Sequence, residues 1–184
     1  MNELPLLEGK RIFLRTLCME DADGNYPHWF NDPEVTKYNS HGERTYTKAM
    51  AQEYIKMVSK ASSAHVFAII EKSTNTHIGN ISLQAINLKA RNAEFAILIG
   101  EPRVYGGGIG EEAGRLLLEY GFKKLALHRI YCGTSSNNLG MQKLALKLGM
   151  QKEGCRRDGL LKNGKFADII EYGILEDEYT KEAL

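Results

Sequence analysis

Apolar and polar residues change their period several times along this chain, and each change marks an expected element. "KRIFLRTL" (Lys10 to Leu17) alternates apolar with basic residues and predicts an edge strand. "MEDADGNYPHWFNDPEVTKY" reads as helix and loop, with Asp32 capping a short helix whose first turn takes Pro33. "TYTKAMAQEYIKMVSKA" places Met50, Tyr54, Met57 and Val58 on one helical face. The period then shortens. "HVFAIIE" (His65 to Glu71) and "HIGNISLQAI" (His77 to Ile86) predict two strands joined by a "KSTNT" turn, and "AEFAILIG" (Ala93 to Gly100) a third. Helical spacing returns at Ala113, Leu116, Leu117 and Tyr120. "RIYCGTS" (Arg129 to Ser135) is a further strand. A helix follows from about Leu139 to Leu148, with Met141, Leu144, Ala145 and Leu148 on its apolar face, Asn138 as N-cap and Gly149 as C-cap. The closing strands flank Asn163-Gly164, a strong hairpin signal.

This order, with hairpins in the middle and at the end, implies an α+β fold: one domain over residues 1–184 with a central mixed, mostly antiparallel sheet flanked by helices. Composition narrows the class. Of 184 residues, 43% are hydrophobic and 26% charged, which suits a globular chain with a real core. A formal net charge of +1 gives no global field toward nucleic acid or an anionic membrane, and neither is expected as a partner. Three scattered cysteines, Cys18, Cys132 and Cys155, argue against a disulfide framework. The N-terminal stretch has no secretory-leader pattern, and no apolar run approaches the ~20 residues of a membrane span, so a cytoplasmic location is expected. The five histidines show no metal-ligand spacing, so no metal is expected.

The stretch "EPRVYGGGIGEEAG" (Glu101 to Gly114) carries the chemistry. Gly108, Gly110 and Ala113 fit G-x-G-x-x-A, but five residues separate the preceding strand from the first glycine and no acid ends the next strand, which disfavours a dinucleotide fold. Glu111 and Glu112 stand where an ATP-binding P-loop needs Lys and Ser or Thr. A glycine loop opening a helix can also hold a pyrophosphate through free backbone N–H groups alone. The bland alternative, a glycine turn without a ligand, leaves the backbone entropy spent on four glycines unexplained.

"RVYGGGIGEEAGRLLLEYGF" resembles the acyl-CoA loop and helix of the GNAT N-acetyltransferases, whose pattern [QR]-x-x-G-x-[GA] ends here in Gly108-Ile109-Gly110. Tyr105 replaces the usual Gln or Arg, as in the ribosomal-protein N-terminal acetyltransferase (RimJ/RimL) branch, and Gly107 stands where that branch often has Lys. "SSNNLGMQKLALKLGMQKEG" resembles the second motif of the family, "RRDGLLKNGKFADIIEYGIL" its closing hairpin, and "LEGKRIFLRTLCMEDADGNYPHWFNDPEV" its opening strand and helix.

The resemblance implies a GNAT fold and acetyl transfer from acetyl-CoA to an amine, without a covalent enzyme intermediate. It implies that Ile97, Leu98 and Ile99 line the pantetheine arm, with the Leu98 N–H facing the thioester oxygen. It gives the pyrophosphate to Tyr105, Gly106, Gly107, Gly108, Ile109 and Gly110, a pantetheine contact to Asn138, and outer-phosphate positions to Lys143 and Lys147. Glu94, at the start of the third strand, is the candidate base, directly or through water; its other reading is a solvated carboxylate. Ala145 occupies the place of the usual acidic Tyr, which leaves the proton donor unassigned, with Tyr172 and Ser136 as substitutes. Trp29, Phe30, Tyr38 and His41 fall in the region that lines the acceptor site, though Trp29 and Phe30 also read as helix packing. The acceptor is a small-molecule amine, such as an amino sugar nucleotide or a polyamine, or else a protein N-terminus. A non-catalytic acyl-CoA-binding module is the alternative of another class. The family often forms homodimers.

Overall fold

The computed structural model describes residues 5–179; the expected single domain over 1–184 extends beyond them at both ends, and residues 1–4 and 180–184 lie outside the described residues. The chain runs β1 (Leu7–Glu8), β2 (Ile12–Thr16), α1 (Tyr26–Trp29), α2 (Pro33–Thr36), α3 (Lys48–Val58), β3 (His65–Glu71), β4 (Thr76–Asn87), β5 (Asn92–Ile99), α4 (Ile109–Glu119), β6 (Arg129–Ser135), α5 (Leu139–Lys147), β7 (Gln151–Lys162) and β8 (Lys165–Leu175). The strands form one eight-stranded sheet in the order β1-β2-β3-β4-β5-β6-β8-β7. Every pair is antiparallel except β5 with β6. The α+β reading is met. β2 is not the edge, because the two-residue β1 pairs outside it.

Two apolar clusters cover the two sheet faces. α4 and α5 pack on one face, with Ala113, Leu117, Ala145 and Leu148 against Phe67, Ile81, Phe95 and Ile130. α1 and α3 pack on the other, with Tyr26, Trp29, Ala51 and Ile55 against Val66, Ala68 and Ile70. Burying each such side chain is worth roughly 1.5–3 kcal/mol, so each helix is held by its stripe rather than by propensity. On α3 that stripe differs from the expected one. Ala51 and Ile55 are buried while Met57 is 60% exposed, so the face runs 51, 54, 55, 58, the i, i+3, i+4, i+7 set.

The caps follow the sequence closely. Asp32 Oδ1 accepts from the Glu34 N–H at 2.8 Å, and Asn138 Oδ1 accepts from the Met141 N–H at 3.1 Å. Asn163 (φ 51°) and Gly164 (φ 72°) both take positive φ, as a two-residue hairpin turn requires. The β7–β8 hairpin reaches back to the α2–α3 loop, where Lys162 Nζ donates to the His41 carbonyl.

Candidate active site: a gap between two parallel strands

The parallel pair β5·β6 is short. It covers Asn92 to Glu94 against Arg129 to Tyr131 and stops there. Beyond Glu94 and Tyr131 the strands separate, and the two following helices, α4 and α5, start at the open end. The result is a V whose vertex is Glu94.

Backbone direction along β5 alternates, so one set of N–H and C=O groups meets β4 and the other faces the V. The Gly100 N–H donates to the Ile78 carbonyl at 2.9 Å, which sets the even-numbered residues toward β4. In agreement, the Leu98 carbonyl crowds Gly79 of β4: a Cβ there would lie 2.5 Å from it. The expectation that the Leu98 N–H faces a thioester is therefore corrected. Its backbone groups belong to the β4 ladder, and those of Ile97 face the V. The Ile99 carbonyl, on the same side as that of Ile97, accepts from the Tyr105 hydroxyl at 3.0 Å. Leu98 instead packs its side chain with the α1–α3 cluster, while Ile97 and Ile99 pack with the α4–α5 cluster.

The glycine loop closes the mouth of the V. Gly106 (φ 73°) and Gly108 (φ 81°) adopt left-handed conformations that side chains rarely take, which explains glycine at these two places. The first helical bond of α4 runs from the Glu112 N–H to the Gly108 carbonyl at 3.1 Å, so the N–H groups from Gly108 to Glu111 precede the ladder. A Cβ on Gly106 would meet nothing within 4 Å, and one on Gly110 would touch Leu144 at 3.5 Å and Ile97 at 3.8 Å. Gly110 thus borders the space between β5 and α5. This donor set, without side chains over it, fits a pyrophosphate.

The loop is also held by a residue that sequence spacing could not reveal. Arg11 Nη1 donates to the Gly107 carbonyl at 2.6 Å and Arg11 Nε to Glu112 Oε2 at 2.9 Å. Glu112 Oε1 accepts from the Arg11 N–H at 2.8 Å and the Ile12 N–H at 3.4 Å. Burial works to raise the Glu112 carboxyl, but these hydrogen bonds outweigh it and hold the group below its ordinary value. Glu111 is likewise lowered by its bonds to Arg115 and Lys147. Lys147 is thereby engaged, at 3.1 Å, while Lys143 is exposed on α5.

On the opposite sheet face, a cleft of about 330 Å3 is lined by Glu94, Arg129, Tyr131, Glu153, Arg156 and Glu171 among others. Arg129 pairs with Glu153, and Arg156 Nε with Glu171 Oε1 at 2.8 Å. Glu94 has no ion-pair or hydrogen-bond partner among the described residues. It is the one carboxylate of the cleft whose charge is not met by an arginine.

The expected acceptor residues do not form one open face, although Phe30 and His41 meet. Trp29 is 3% exposed; its ring lies over Gly100 and its Nε1 donates to Glu101 Oε1 at 3.2 Å. Its packing role beneath the loop is what the structure displays, not an open face. Tyr38 is half-buried on the α2–α3 loop, with Lys37 over its ring at 5.6 Å. His41 stacks edge-on to Phe30 at 4.8 Å, and burial followed by Lys162 lowers its imidazole. Of the substitutes for the missing acid, Tyr172 is buried and donates to Gln142 Oε1 at 3.3 Å; burial pushes its phenol up. The Ser136 N–H donates to the Asp168 carbonyl at 2.8 Å.

A mixed sheet with a splayed parallel pair and a glycine-opened helix at its mouth can hold an extended ligand that carries a pyrophosphate. Comparison with known proteins makes the family plain. Residues 11–151 match the acetyltransferase (GNAT) domain model, so the chain belongs to the GNAT acetyltransferase family and is an N-acetyltransferase. It is 34% identical over 174 residues to "Uncharacterized N-acetyltransferase p20" of Bacillus licheniformis, covering 93% of this chain and 96% of that protein. It is 32% identical over 104 residues to spermidine N(1)-acetyltransferase of Escherichia coli, covering 56% of this chain and 55% of that one. The fold superimposes with a TM-score of 0.84 on spermidine N-acetyltransferase from Vibrio cholerae in complex with CoA and spermine, at 24% identity, covering 93% and 99% of the two chains. No helix among the described residues is long and apolar enough to cross a membrane.

Proposed function

We propose that this N-acetyltransferase acetylates a small primary amine, which reaches the vertex of the V from the Glu94 cleft while acetyl-CoA lies in the V itself. The observation that carries the reading is the end of β5·β6 pairing at Glu94: it leaves backbone groups of Ile97 free on one side and an unpaired carboxylate on the other. Acetyl-CoA supplies an activated acyl group on a good thiolate leaving group. Ile97 offers its main chain to the pantetheine amides, as a neighbouring strand would. The loop from Tyr105 to Gly110 and the first turn of α4 receive the pyrophosphate. Asn138, already bonded to the Met141 N–H, borders the same mouth from the α5 side.

Chemistry then needs a neutral amine. Glu94, directly or through one water, accepts a proton from the nitrogen, whose lone pair forms the C–N bond as the C–S bond breaks; the thiolate leaves and takes a proton from solvent. With Ala145 in place of a hydroxyl-bearing residue, no side chain of α5 serves as that donor.

The cleft also bears on the acceptor. Glu153 and Glu171 are neutralised by Arg129 and Arg156, which leaves a single uncompensated acid. That suits an amine with one cationic nitrogen and neutral polar groups, such as an amino sugar, better than a polyamine, which needs several free carboxylates. The similarity to spermidine acetyltransferases makes polyamines the comparison to run. Thiol release from acetyl-CoA is measured across amino sugars and their nucleotides, polyamines and short peptides. Turnover on an amino sugar derivative is expected, with kcat falling about 10²-fold or more in Glu94→Gln and CoA binding unchanged. CoA binding without turnover on any amine defeats the catalytic reading in favour of a binding module. An unchanged rate in Glu94→Gln removes Glu94 as the base.

A further inference from the structure

The loop from Tyr105 to Gly110 contains no cationic side chain, and the helix it opens begins with two carboxylates, Glu111 and Glu112. Backbone N–H groups alone would have to attract a doubly charged pyrophosphate past those acids. The geometry around Arg11 resolves the conflict. Glu112 is turned away from the loop and spends both oxygens on the start of β2, accepting from the Arg11 and Ile12 N–H groups and from Arg11 Nε. The same guanidinium is pinned a second time through Nη1 to the Gly107 carbonyl. Two of its three nitrogens are therefore fixed, which fixes its plane. The third, Nη2, has no hydrogen bond to a described residue. It lies beside Gly108, 3.2 Å from where a Cβ would stand, on a side chain that is 52% exposed. Lys10, Glu71 and Lys72 line the same hollow with Val104, Gly107 and Ile109; Glu71 pairs with Arg103 at 2.7 Å and Lys72 with Glu8 at 3.3 Å.

We infer that Arg11, about a hundred residues before the loop, is the cationic phosphate-binding residue of the acetyl-CoA site: its Nε and Nη1 hold the glycine loop and Glu112 in place, and its Nη2 meets a pyrophosphate oxygen at Gly108. This rests on the reading of the V as the acetyl-CoA site. A fixed fork with one free arm suits a phosphate oxygen because little rotamer freedom remains to be lost on binding. A purely mechanical latch between β2 and α4 would engage the same two nitrogens, but its loss would leave the salt dependence of CoA binding unchanged and would not be partly rescued by lysine.

The test separates these roles. Calorimetry measures CoA binding by the wild type, Arg11→Met and Arg11→Lys at low and moderate salt. Steady-state kinetics compare acetyl-CoA with S-acetylpantetheine, which lacks the pyrophosphate. Expected for Arg11→Met is CoA binding at least tenfold weaker with a shallower salt dependence, a raised KM for acetyl-CoA, and a smaller loss of kcat/KM with S-acetylpantetheine than with acetyl-CoA. Arg11→Lys, which keeps the charge but loses the fork, falls between, and it carries the test if the Met variant does not fold. CoA affinity within twofold of wild type in both variants overturns the inference, as does an equal loss with S-acetylpantetheine. A wild type that binds no CoA removes the site reading itself, a result distinct from unaltered binding in the variants.

Discussion

Replacing Asp21 with alanine tests how the wall beneath the site is held. Asp21 is 3% exposed and anchors four groups. Arg15 donates to both its oxygens at 2.7 and 2.8 Å, the Cys18 N–H donates at 2.8 Å, and His77 Nδ1 lies at 3.1 Å. His77 in turn sits edge-on to Trp29 at 4.9 Å, and the Trp29 ring covers Gly100 at the head of the glycine loop. Breaking a buried pair by removing one partner costs about 3–5 kcal/mol. The Arg15 side chain is 32% exposed, so water recovers part of its solvation, and the lower end, about 3 kcal/mol, applies here. For a chain of this length that is a fall in Tm of about 6–12 °C. Urea and thermal melts at pH 7 measure it. Arg15→Met with Asp21→Leu is expected to lose less than Asp21→Ala alone, because no charge is then left buried without a partner. The pH dependence has a definite sign. Burial works to raise the Asp21 carboxyl, but the Arg15 and His77 interactions hold it well below the usual carboxylate range. Its contribution is therefore complete above the unfolded value of about 3.9 and is lost as pH falls below it. The gap between wild type and Asp21→Asn narrows in acid. A loss under about 1 kcal/mol for Asp21→Ala at pH 7, or a gap that widens on acidification, refutes the reasoning.

Gly108→Val forces a β-branched side chain into φ 81° and against Arg11 Nη2, so the rise in Tm caused by CoA in wild type is expected to vanish; an undiminished shift removes the loop from the binding site. Burial pushes the Cys132 thiol up to about 12, whereas Cys155 is exposed. Iodoacetamide followed by mass spectrometry is expected to label Cys155 in the native protein and Cys132 only in urea; early labelling at Cys132 contradicts its place in the core.

Much of the fold was legible because periodicity and caps are local. The strands at His65–Glu71 and Arg129–Ser135, the Asn138 cap and the Asn163-Gly164 turn stand where the sequence predicts them. The buried face of α3 departs from the hydrophobic pattern: Met57 is 60% exposed while the smaller Ala51 is fully buried, because the facing sheet and not residue hydrophobicity decides which positions are covered. The two-residue β1 offers too few positions for a period to register.

The residues from Tyr105 to Gly110 by themselves determined that a helix opens on exposed N–H groups, since glycine takes the left-handed turns at Gly106 and Gly108 without the steric cost of a side chain. Three features belong to the tertiary structure. The register of β5 on β4 turned the backbone of Leu98 away from the V and that of Ile97 into it, because a strand presents its polar groups to alternate sides and only pairing selects which. The end of β5·β6 pairing isolated Glu94 at the vertex. Chain folding also brought Arg11 onto Gly107 and Glu112, a contact between distant segments that no local spacing encodes.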